Sequence, residues 1–252
     1  MELGLKGKNV LITGSTNGLG KAIAQLMAQE GANVVINGRN KEKANKLAED
    51  IRNTYKTEVA VVPADLSEEN AAEDLFRKSV KALGKIDVLV NNAGIWPTAY
   101  VRDMEKKEFE RTIYMDLEVP YILSRMMVNH LISREEKGKI INVVSQAAFH
   151  GSTTGHAHYA AAKSGLVTFM ISLAREVAKY GITVNAVAPG IMKTEMIRES
   201  LEKNSDYYNS RIPLGRAALP EEVAYSVVFL ASNKADYLTG ITIDATGGML
   251  MR

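Results

Sequence analysis

Short apolar runs rich in β-branched residues alternate with helical patterns along almost the whole chain. The runs are NVLIT (9–13), NVVIN (33–37), VAVVP (59–63), IDVLV (86–90), KIINVV (139–144), ITVNAVA (182–188) and ITIDA (241–245). Unbroken apolar runs of this kind are typical of strands that are buried on both faces. The alternation therefore predicts an α/β fold with one doubly wound, parallel, seven-stranded sheet and helices on both of its faces.

The intervals between these runs carry signals for helix starts and ends. The helical patterns cover 21–31, 41–53, 66–84 and 219–232. We expect Gly31 to end the first helix, Ser67 to cap the third and Pro220 to open the last. No repeat or Pro/Gly-rich linker interrupts the rhythm, so residues 1–252 are predicted to form a single domain. The polar stretch 190–219 follows a predicted strand and is predicted to be a substrate lid.

Composition excludes several classes of partner. The chain carries 31 basic and 29 acidic side chains, a net charge of +2, which is too balanced for an electrostatic nucleic-acid binder. There is no cysteine, so disulfides and thiol chemistry are excluded. The apolar run near the amino terminus is too short for a signal peptide, and no stretch approaches the length of a membrane span. We therefore expect a cytoplasmic protein without nucleic-acid or membrane partners.

A glycine-rich loop joins the first predicted strand to the helix that follows. It reads Thr13-Gly14-Ser15-Thr16-Asn17-Gly18-Leu19-Gly20, a G-x-x-x-G-x-G spacing. Glycines let the backbone turn tightly and approach a pyrophosphate, while the start of the helix offers N–H groups and the positive end of its dipole. A plain tight turn would have the same composition, but the position at the start of an alternating fold favours dinucleotide binding.

Tyr159 and Lys163 stand four positions apart in the alanine-rich stretch HAHYAAAKSG (156–165). On a helix, that spacing places both side chains on one face. A nearby ammonium stabilises the phenolate and lowers the pKa of the phenol toward the range in which general acid–base catalysis works. The alternative is an aromatic ring packed over a lysine stem, and the pair alone does not exclude it.

These motifs and several others occur in the order and spacing of a known family. The others are Asn91-Asn92-Ala93-Gly94, Ser145, Asn185-Ala186-Val187-Ala188-Pro189-Gly190, Pro213-Leu214-Gly215-Arg216, Pro220-Glu221-Glu222-Val223-Ala224 and Gly247-Gly248. Over essentially the whole chain, the sequence resembles the short-chain dehydrogenases/reductases. The resemblance implies a Rossmann fold and an oxidoreductase that moves hydride between a nicotinamide cofactor and a secondary alcohol or ketone.

The resemblance also implies roles for individual residues. Tyr159 would donate its phenolic proton to a carbonyl oxygen in reduction, or accept a proton from an alcohol in oxidation. Lys163 would assist Tyr159 and hold the nicotinamide ribose, and Ser145 would hydrogen-bond the substrate oxygen. The residues implied in cofactor binding are Gly14, Ser15, Thr16, Asn17, Gly18, Leu19, Gly20, Arg39, Asp65, Leu66, Asn92, Ala93, Gly94, Tyr159, Lys163, Pro189, Gly190, Ile191 and Thr194.

One position departs from the family pattern. The family usually has an asparagine whose backbone carbonyl anchors a water linked to the lysine, and this chain has Asp116 there. If the carbonyl does the work, aspartate can replace asparagine, and Asp116 joins the catalytic residues. If the side chain matters, its charge would raise the pKa of Lys163 and alter the proton relay. We expect a working site.

The end of the second predicted strand bears on the choice of cofactor. NAD-dependent relatives usually have an aspartate at the position of Gly38, where it binds the ribose and repels a 2′-phosphate. Arg39 would instead pair with that phosphate and stack on the adenine, so NADP is expected rather than NAD. The glycine loop lacks the second basic residue that some NADP-dependent members carry. Asp65 matches the residue whose neighbourhood holds the adenine ring.

Three histidines and one tryptophan near the catalytic motifs have open roles. His150 and His156 are candidates for lining the pocket. His156 and His158 have the spacing of a metal pair, but no third ligand lies at a suitable distance, so no metal is expected. Trp96 is the only tryptophan, and it is either a pocket wall or an interface residue.

Two substrate classes stay open. The overall pattern and the ending GGMLM resemble 3-oxoacyl-acyl-carrier-protein reductases, whose acidic carrier requires a basic patch. The segment 134–137 is mixed in sign, however, and Lys179-Tyr180 stands where an arginine often lies. Sugar or polyol dehydrogenases share the scaffold, and Ser152-Thr153-Thr154 would supply hydroxyl contacts. A function of another class is a non-catalytic nicotinamide-nucleotide sensor or scaffold, which only Asp116 supports.

The resemblance also implies a homotetramer. The helices at 105–131 and near 158 would form one two-fold interface, and the helix at 220–231 with the last strand would form the other. Closed symmetric assemblies are the usual outcome for such self-complementary surfaces.

Overall fold

The predicted seven-stranded parallel sheet is present. In a computed structural model that describes residues 2–152, 154–195 and 203–251, all of its strand pairs are parallel. The strands are β1 (Asn9–Ile12), β2 (Asn33–Ile36), β3 (Val59–Val61), β4 (Val88–Asn91), β5 (Gly138–Val143), β6 (Ile182–Pro189) and β7 (Thr242–Ala245). Their order across the sheet is β3-β2-β1-β4-β5-β6-β7.

Helices connect the strands and cover the sheet. They are α1 (Gly18–Gln29), α2 (Lys41–Tyr55), α3 (Ala71–Leu83), α4 (Lys106–Ile113), α5 (Val119–Ser133), α6 (Ala147–His150), α7 (Ala157–Val177), α8 (Ser205–Ser210) and α9 (Pro220–Ala231). A π-helical turn, Tyr114–Glu118, joins α4 to α5. The predicted helix at 105–131 is therefore interrupted by a wider turn.

Helices pack on both faces of the sheet, as predicted. Alternate residues of β1 point to opposite sides, so that Val10 and Ile12 join one core and Leu11 joins the other. The first core contains buried residues of α1, α2 and α9, and the second contains those of α3, α5 and α7. The inner strands β1, β2, β4, β5 and β6 contribute buried residues to both cores, which explains their largely apolar sequences.

Two of the three predicted helix boundaries are correct. Gly31 follows the end of α1 with φ +82°, and Pro220 is the first residue of α9. The capping role predicted for Ser67 is wrong, because its N–H and hydroxyl both donate to Oδ1 of Asp65, at 3.1 and 2.7 Å. That local turn delays α3, which begins after Asn70.

The strand order reverses between β1 and β4, whose carboxyl ends flank the usual ligand site of such sheets. The glycine loop follows β1, and the Asn91–Gly94 segment follows β4. Part of the predicted lid, residues 196–202, lies outside the described residues. Among the residues that are described, no helix combines the length and apolar character needed to cross a membrane.

Candidate active site

A cleft of about 820 Å³ runs along the carboxyl edge of the sheet. It extends from Arg39 and Asp65, which follow β2 and β3, to Ser145 and Pro189 at the ends of β5 and β6. All residues implied above in cofactor binding line this cleft except Ser15. The chain therefore brings together, in one continuous space, segments that are far apart in sequence.

Ser15 supports the glycine loop from behind. Its side chain is fully buried, and its hydroxyl accepts a hydrogen bond from the N–H of Asn37 at 2.8 Å. Its own N–H donates to the Asn37 carbonyl, also at 2.8 Å. Ser15 thus joins the loop to the end of β2 and lies behind the loop residues that line the cleft.

The glycine loop and the segment after β4 are held together by hydrogen bonds. The hydroxyl oxygen of Thr13 accepts from the N–H groups of Asn92 and Ala93, each at 2.9 Å, and the Asn92 side chain donates to the Thr13 carbonyl at 2.8 Å. A Cβ on Gly20 would overlap the Gly14 carbonyl oxygen and the Asn92 amide. Glycine alone therefore lets α1 begin this close to the loop, which is the cradle that a pyrophosphate requires.

Tyr159 and Lys163 project from the first turns of α7, and Ser145, which follows β5, lines the same space. Lys163 Nζ lies 5.7 Å from the centroid of the Tyr159 ring, so the helical spacing places the two groups side by side. Burial raises the pKa of Tyr159, Lys163 lowers it, Asp116 raises it, and a hydrogen bond with Ser145 lowers it. The resulting pKa lies above the ordinary value of tyrosine because burial dominates.

The side chain of Asp116 reaches Lys163 directly. Its Oδ1 lies 3.0 Å from Lys163 Nζ, and the two side chains are 0% and 5% exposed. Lys163 also donates to the Val143 carbonyl at 3.2 Å, which leaves one of its three N–H groups. Burial is the largest single effect and lowers the pKa of Lys163, but the charge of Asp116, the charge of Tyr159 and a hydrogen bond with Asp116 together outweigh it, so the pKa lies above its ordinary value.

Three local features admit the Asp116 carboxylate to this position. The residue sits in the π-helical turn, its Oδ2 accepts from the N–H of Ile95 at 3.2 Å, and a Cβ on Gly94 would overlap its Oδ1. Pro120, four residues later, has no N–H and cannot donate to the Asp116 carbonyl as an ordinary helical residue would. The Asp116 carbonyl therefore lacks its ordinary i+4 donor, while the carboxylate is held between the Ile95 N–H and Lys163.

The β2–β3 end of the cleft is positively charged. Arg39 is exposed and, among the described residues, makes no hydrogen bond or salt bridge. Lys43, in the first turn of α2, lines the same end, although the sequence reading did not single it out. Hydrogen bonds from Ser67 hold the pKa of Asp65 below its usual value, and the charge of Arg39 adds to this effect. Arg39 and Lys43 thus face this end together, and Arg111, which also lines the cleft, adds a further positive charge that lowers the pKa of Asp65.

Of the three histidines and the tryptophan, two side chains line the cleft and two are buried away from it. His150 and Trp96 line the cleft, with Trp96 37% exposed. His156 is buried behind Trp96, stacked on its ring at a centroid distance of 4.2 Å, with Nδ1 2.8 Å from the Pro97 carbonyl. His158 is buried and does not line the cleft. Within the described ranges no group of three potential metal ligands occurs.

The opposite end of the cleft contains three side chains that the sequence analysis missed. They are Tyr207 and Tyr208 of α8, and Arg211 just after it. Their only sequence signal is their position inside the predicted lid. No periodic pattern shows which of its residues face inward.

The chain resembles known proteins along its whole length. A family model described as enoyl-(acyl carrier protein) reductase matches residues 14–250. The 3-oxoacyl-(acyl-carrier-protein) reductase FabG of Rickettsia prowazekii is 40% identical over 247 residues, which cover 98% of both chains. The corresponding protein of Aquifex aeolicus is 38% identical over 249 residues, which cover 99% of this chain and 100% of the other. The solved structure of a candidate gluconate dehydrogenase from Agrobacterium tumefaciens has a TM-score of 0.93 at 30% identity, covering 100% of this chain and 99% of that one.

Proposed function

Because the chain belongs to the short-chain dehydrogenase/reductase family, we propose that it transfers hydride between NADP(H) and a secondary alcohol or ketone. The observation that carries the proposal is the placement of Ser145, Tyr159 and Lys163 around one space at the end of β5, next to the glycine cradle. That combination provides a proton donor, an oxygen-binding hydroxyl and a cation beside a dinucleotide site.

Residues of the chain itself transfer the proton and bind the substrate oxygen. The bound cofactor supplies or accepts the hydride. In reduction, Tyr159 gives its phenolic proton to the substrate oxygen while Ser145 donates a hydrogen bond to that oxygen and stabilises its developing charge. Lys163 favours the phenolate that remains, and its free N–H is available to a ribose hydroxyl. Oxidation of an alcohol reverses these transfers.

The preference for NADP rests on charge at the β2–β3 end of the cleft. Arg39 and Lys43 both line this end, and neither makes a salt bridge among the described residues. A 2′-phosphate would give both cations a partner. Gly38 contributes no carboxylate there to repel a phosphate.

Two substrate classes remain candidates, and different relatives support each. The 40% identity to a 3-oxoacyl-(acyl-carrier-protein) reductase favours a 3-oxoacyl thioester. The likeness to a candidate gluconate dehydrogenase favours a sugar acid or polyol. Arg134 would contribute little attraction to an acidic carrier, because Glu136 forms a salt bridge with Arg134 at 3.2 Å.

A turnover assay tests the proposal against the sensor alternative. The panel contains 3-oxoacyl thioesters, ketoses, aldonates and polyols, each with both nicotinamide cofactors. Tyr159→Phe removes only the transferable proton, so we expect turnover to be abolished while cofactor binding stays intact. Tyr180→Phe, at an exposed tyrosine outside the cleft, is the matched control. Retention of most of the wild-type kcat in Tyr159→Phe refutes the acid–base role, and cofactor binding without turnover on any panel member favours the sensor.

We also propose a homotetramer in the cytoplasm. The chain alone exposes Phe109 and Tyr121 on α4 and α5, at 43% and 42%, and Tyr225 and Phe229 on α9, at 62% and 37%. These aromatic side chains lie on the two helical surfaces where the interfaces were expected, and pairing with other copies would cover them.

A further inference from the structure

We propose that the substrate end of the cleft contains an anion subsite in which Arg211, positioned by Tyr207, binds a carboxylate or phosphate of the substrate. The inference rests on the proposed function and narrows it, because it requires the substrate to carry a negative group beyond the carbonyl or alcohol that reacts.

The position of Arg211 in the fold separates it from the cofactor phosphates. It lies in the connection between β6 and β7, one residue before the buried Ile212. A Cβ on Gly247, just after β7, would lie 2.7 Å from Ile212, and the Leu214 N–H donates to the Gly247 carbonyl at 3.1 Å. Arg211 is thus anchored at the β7 end, whereas Arg39 follows β2. Those strands are five places apart, or about 24 Å at the usual strand spacing.

The guanidinium of Arg211 is oriented but not neutralised. Nη1 donates to the Tyr207 hydroxyl at 2.9 Å, and Cζ lies 5.3 Å from the centroid of the same ring. Tyr208 packs edge-on against Tyr207 at a centroid distance of 5.3 Å. Within the described ranges no carboxylate forms a salt bridge with Arg211. Its remaining N–H groups keep the forked geometry that matches a carboxylate or phosphate.

Arg216, a nearby arginine, differs from Arg211 because its guanidinium has a purely structural role. Arg216 is held by both carboxylate oxygens of Glu222, at 2.6 and 2.7 Å, and does not line the cleft. Arg211, five residues earlier, lines the cleft and has no such partner.

None of the described acidic side chains that line the cleft forms a salt bridge with Arg211. The acidic lining residues are Asp65, Asp116 and Glu195. Asp65 belongs to the adenine end and Asp116 is paired with Lys163. Glu195 adjoins Thr194, whose side chain contacts the Gly18 position of the glycine loop, and it forms no salt bridge with Arg211. Arg211 is therefore the one cationic side chain, among the described lining residues, that follows β6 on the way to β7.

Matched substrate pairs test the subsite and identify its anion. A six-carbon aldonate is compared with its alditol, and 3-oxobutanoyl-CoA with the 3-oxobutanoyl N-acetylcysteamine thioester, which lacks the phosphates. In at least one pair, Arg211→Ala should lower kcat/KM for the charged member by about tenfold or more, and change the neutral member by less than about twofold. Arg211→Lys and Tyr207→Phe should fall between wild type and Arg211→Ala for the charged member. Arg102→Ala, at an exposed arginine outside the cleft, should match wild type.

A binding measurement separates failure of the subsite from failure of the proposed function. Trp96 is the only tryptophan and lines the cleft, so its fluorescence reports ligand binding. The titrations use the same four compounds with NADP⁺-loaded Tyr159→Phe protein, which prevents turnover, with and without Arg211→Ala. Weaker binding of only the charged member supports the subsite even if no panel member is turned over. An equal loss for charged and neutral members, or no loss for either, overturns it.

Discussion

Replacing Asp116 with asparagine removes one negative charge from the candidate active site at nearly constant side-chain volume. Asp116 is fully buried, and its carboxylate offsets the charge of Lys163 from 3.0 Å. Asparagine keeps an acceptor for the Ile95 N–H, which the carboxylate binds at 3.2 Å. Because shape and this hydrogen bond are kept, a displaced pH profile reports the charge that was removed.

The size of the effect follows from the geometry. Asp116 Oδ1 is 3.0 Å from Lys163 Nζ, and Nζ is 5.7 Å from the Tyr159 ring centroid, so the carboxylate is less than about 9 Å from the ring. Two unit charges at that separation interact by about 2 kcal/mol at an effective dielectric constant of about 20. Without Asp116 the phenolate is favoured by this amount, and the pKa of Tyr159 falls. We expect the pH–activity profile to move toward acid by about 1.5 pH units.

The assay is kcat against pH in both directions of the reaction. Oxidation needs the phenolate as base and rises with pH through the pKa of Tyr159, so Asp116→Asn should be faster than wild type on the acidic limb. Reduction needs the phenol, so its falling limb should also move toward acid and the variant should be slower there. A profile that is scaled up or down without displacement would refute the electrostatic role and leave Asp116 a purely structural residue.

A stability control accompanies this measurement. Removing one partner of a buried ion pair costs roughly 3–5 kcal/mol, so thermal unfolding of Asp116→Asn should begin at a lower temperature. Activities are compared only at temperatures where circular dichroism shows both proteins folded. Asp116→Ala provides a second variant, which should give the same acid displacement with a larger loss of stability.

Three further predictions concern the cofactor and the assembly. Arg39→Ala should lower kcat/KM with NADPH by about tenfold or more and leave NADH unaffected, whereas an unchanged NADPH value would make Arg39 a solvated bystander. Gly38→Asp should shift the cofactor preference fully toward NAD only when it is combined with Thr16→Ala. A Cβ at position 38 would lie 2.6 Å from Cγ2 and 2.7 Å from Oγ1 of Thr16, and the alanine removes both atoms. Thr16→Ala alone is the control. Light scattering at micromolar concentration should give the mass of a tetramer, and a monomeric mass would contradict the proposed interfaces.

Most of the sheet could be predicted because its inner strands are buried on both faces. Burial on both faces requires unbroken apolar runs, and such runs are visible without knowledge of their neighbours. The run at 86–90, for example, corresponds to Val88–Asn91. The start of α3 was harder, since Asp65 and Ser67 form a local turn that competes with helix capping. Both arrangements use the same residue types, so composition does not separate them.

In the candidate active site, likewise, one contact could be predicted from the sequence and another could not. The pairing of Tyr159 with Lys163 depends only on helical spacing and was visible in the sequence. The contact between Asp116 and Lys163 depends on a π-helical turn, on the missing Cβ of Gly94 and on the N–H of Ile95. These features come from separate segments, so the sequence left open whether the Asp116 carbonyl or its side chain mattered. The structure brings the side chain to the lysine.

Lys43 and Arg211 were missed for a common reason. Each is a single cation whose orientation is set by tertiary packing, one at the start of α2 and the other after α8. They lie at opposite ends of a cleft that crosses the sheet, with Ser145, Tyr159 and Lys163 between them. Substitutions that far apart, without shared partners, have additive effects. We therefore expect cofactor preference and substrate preference to be separable in this chain. Changes at Lys43 and Arg39 should alter cofactor preference, and changes at Arg211 should alter substrate preference. Only changes at Asp116, Tyr159 or Lys163 should alter the pH dependence that is common to all substrates.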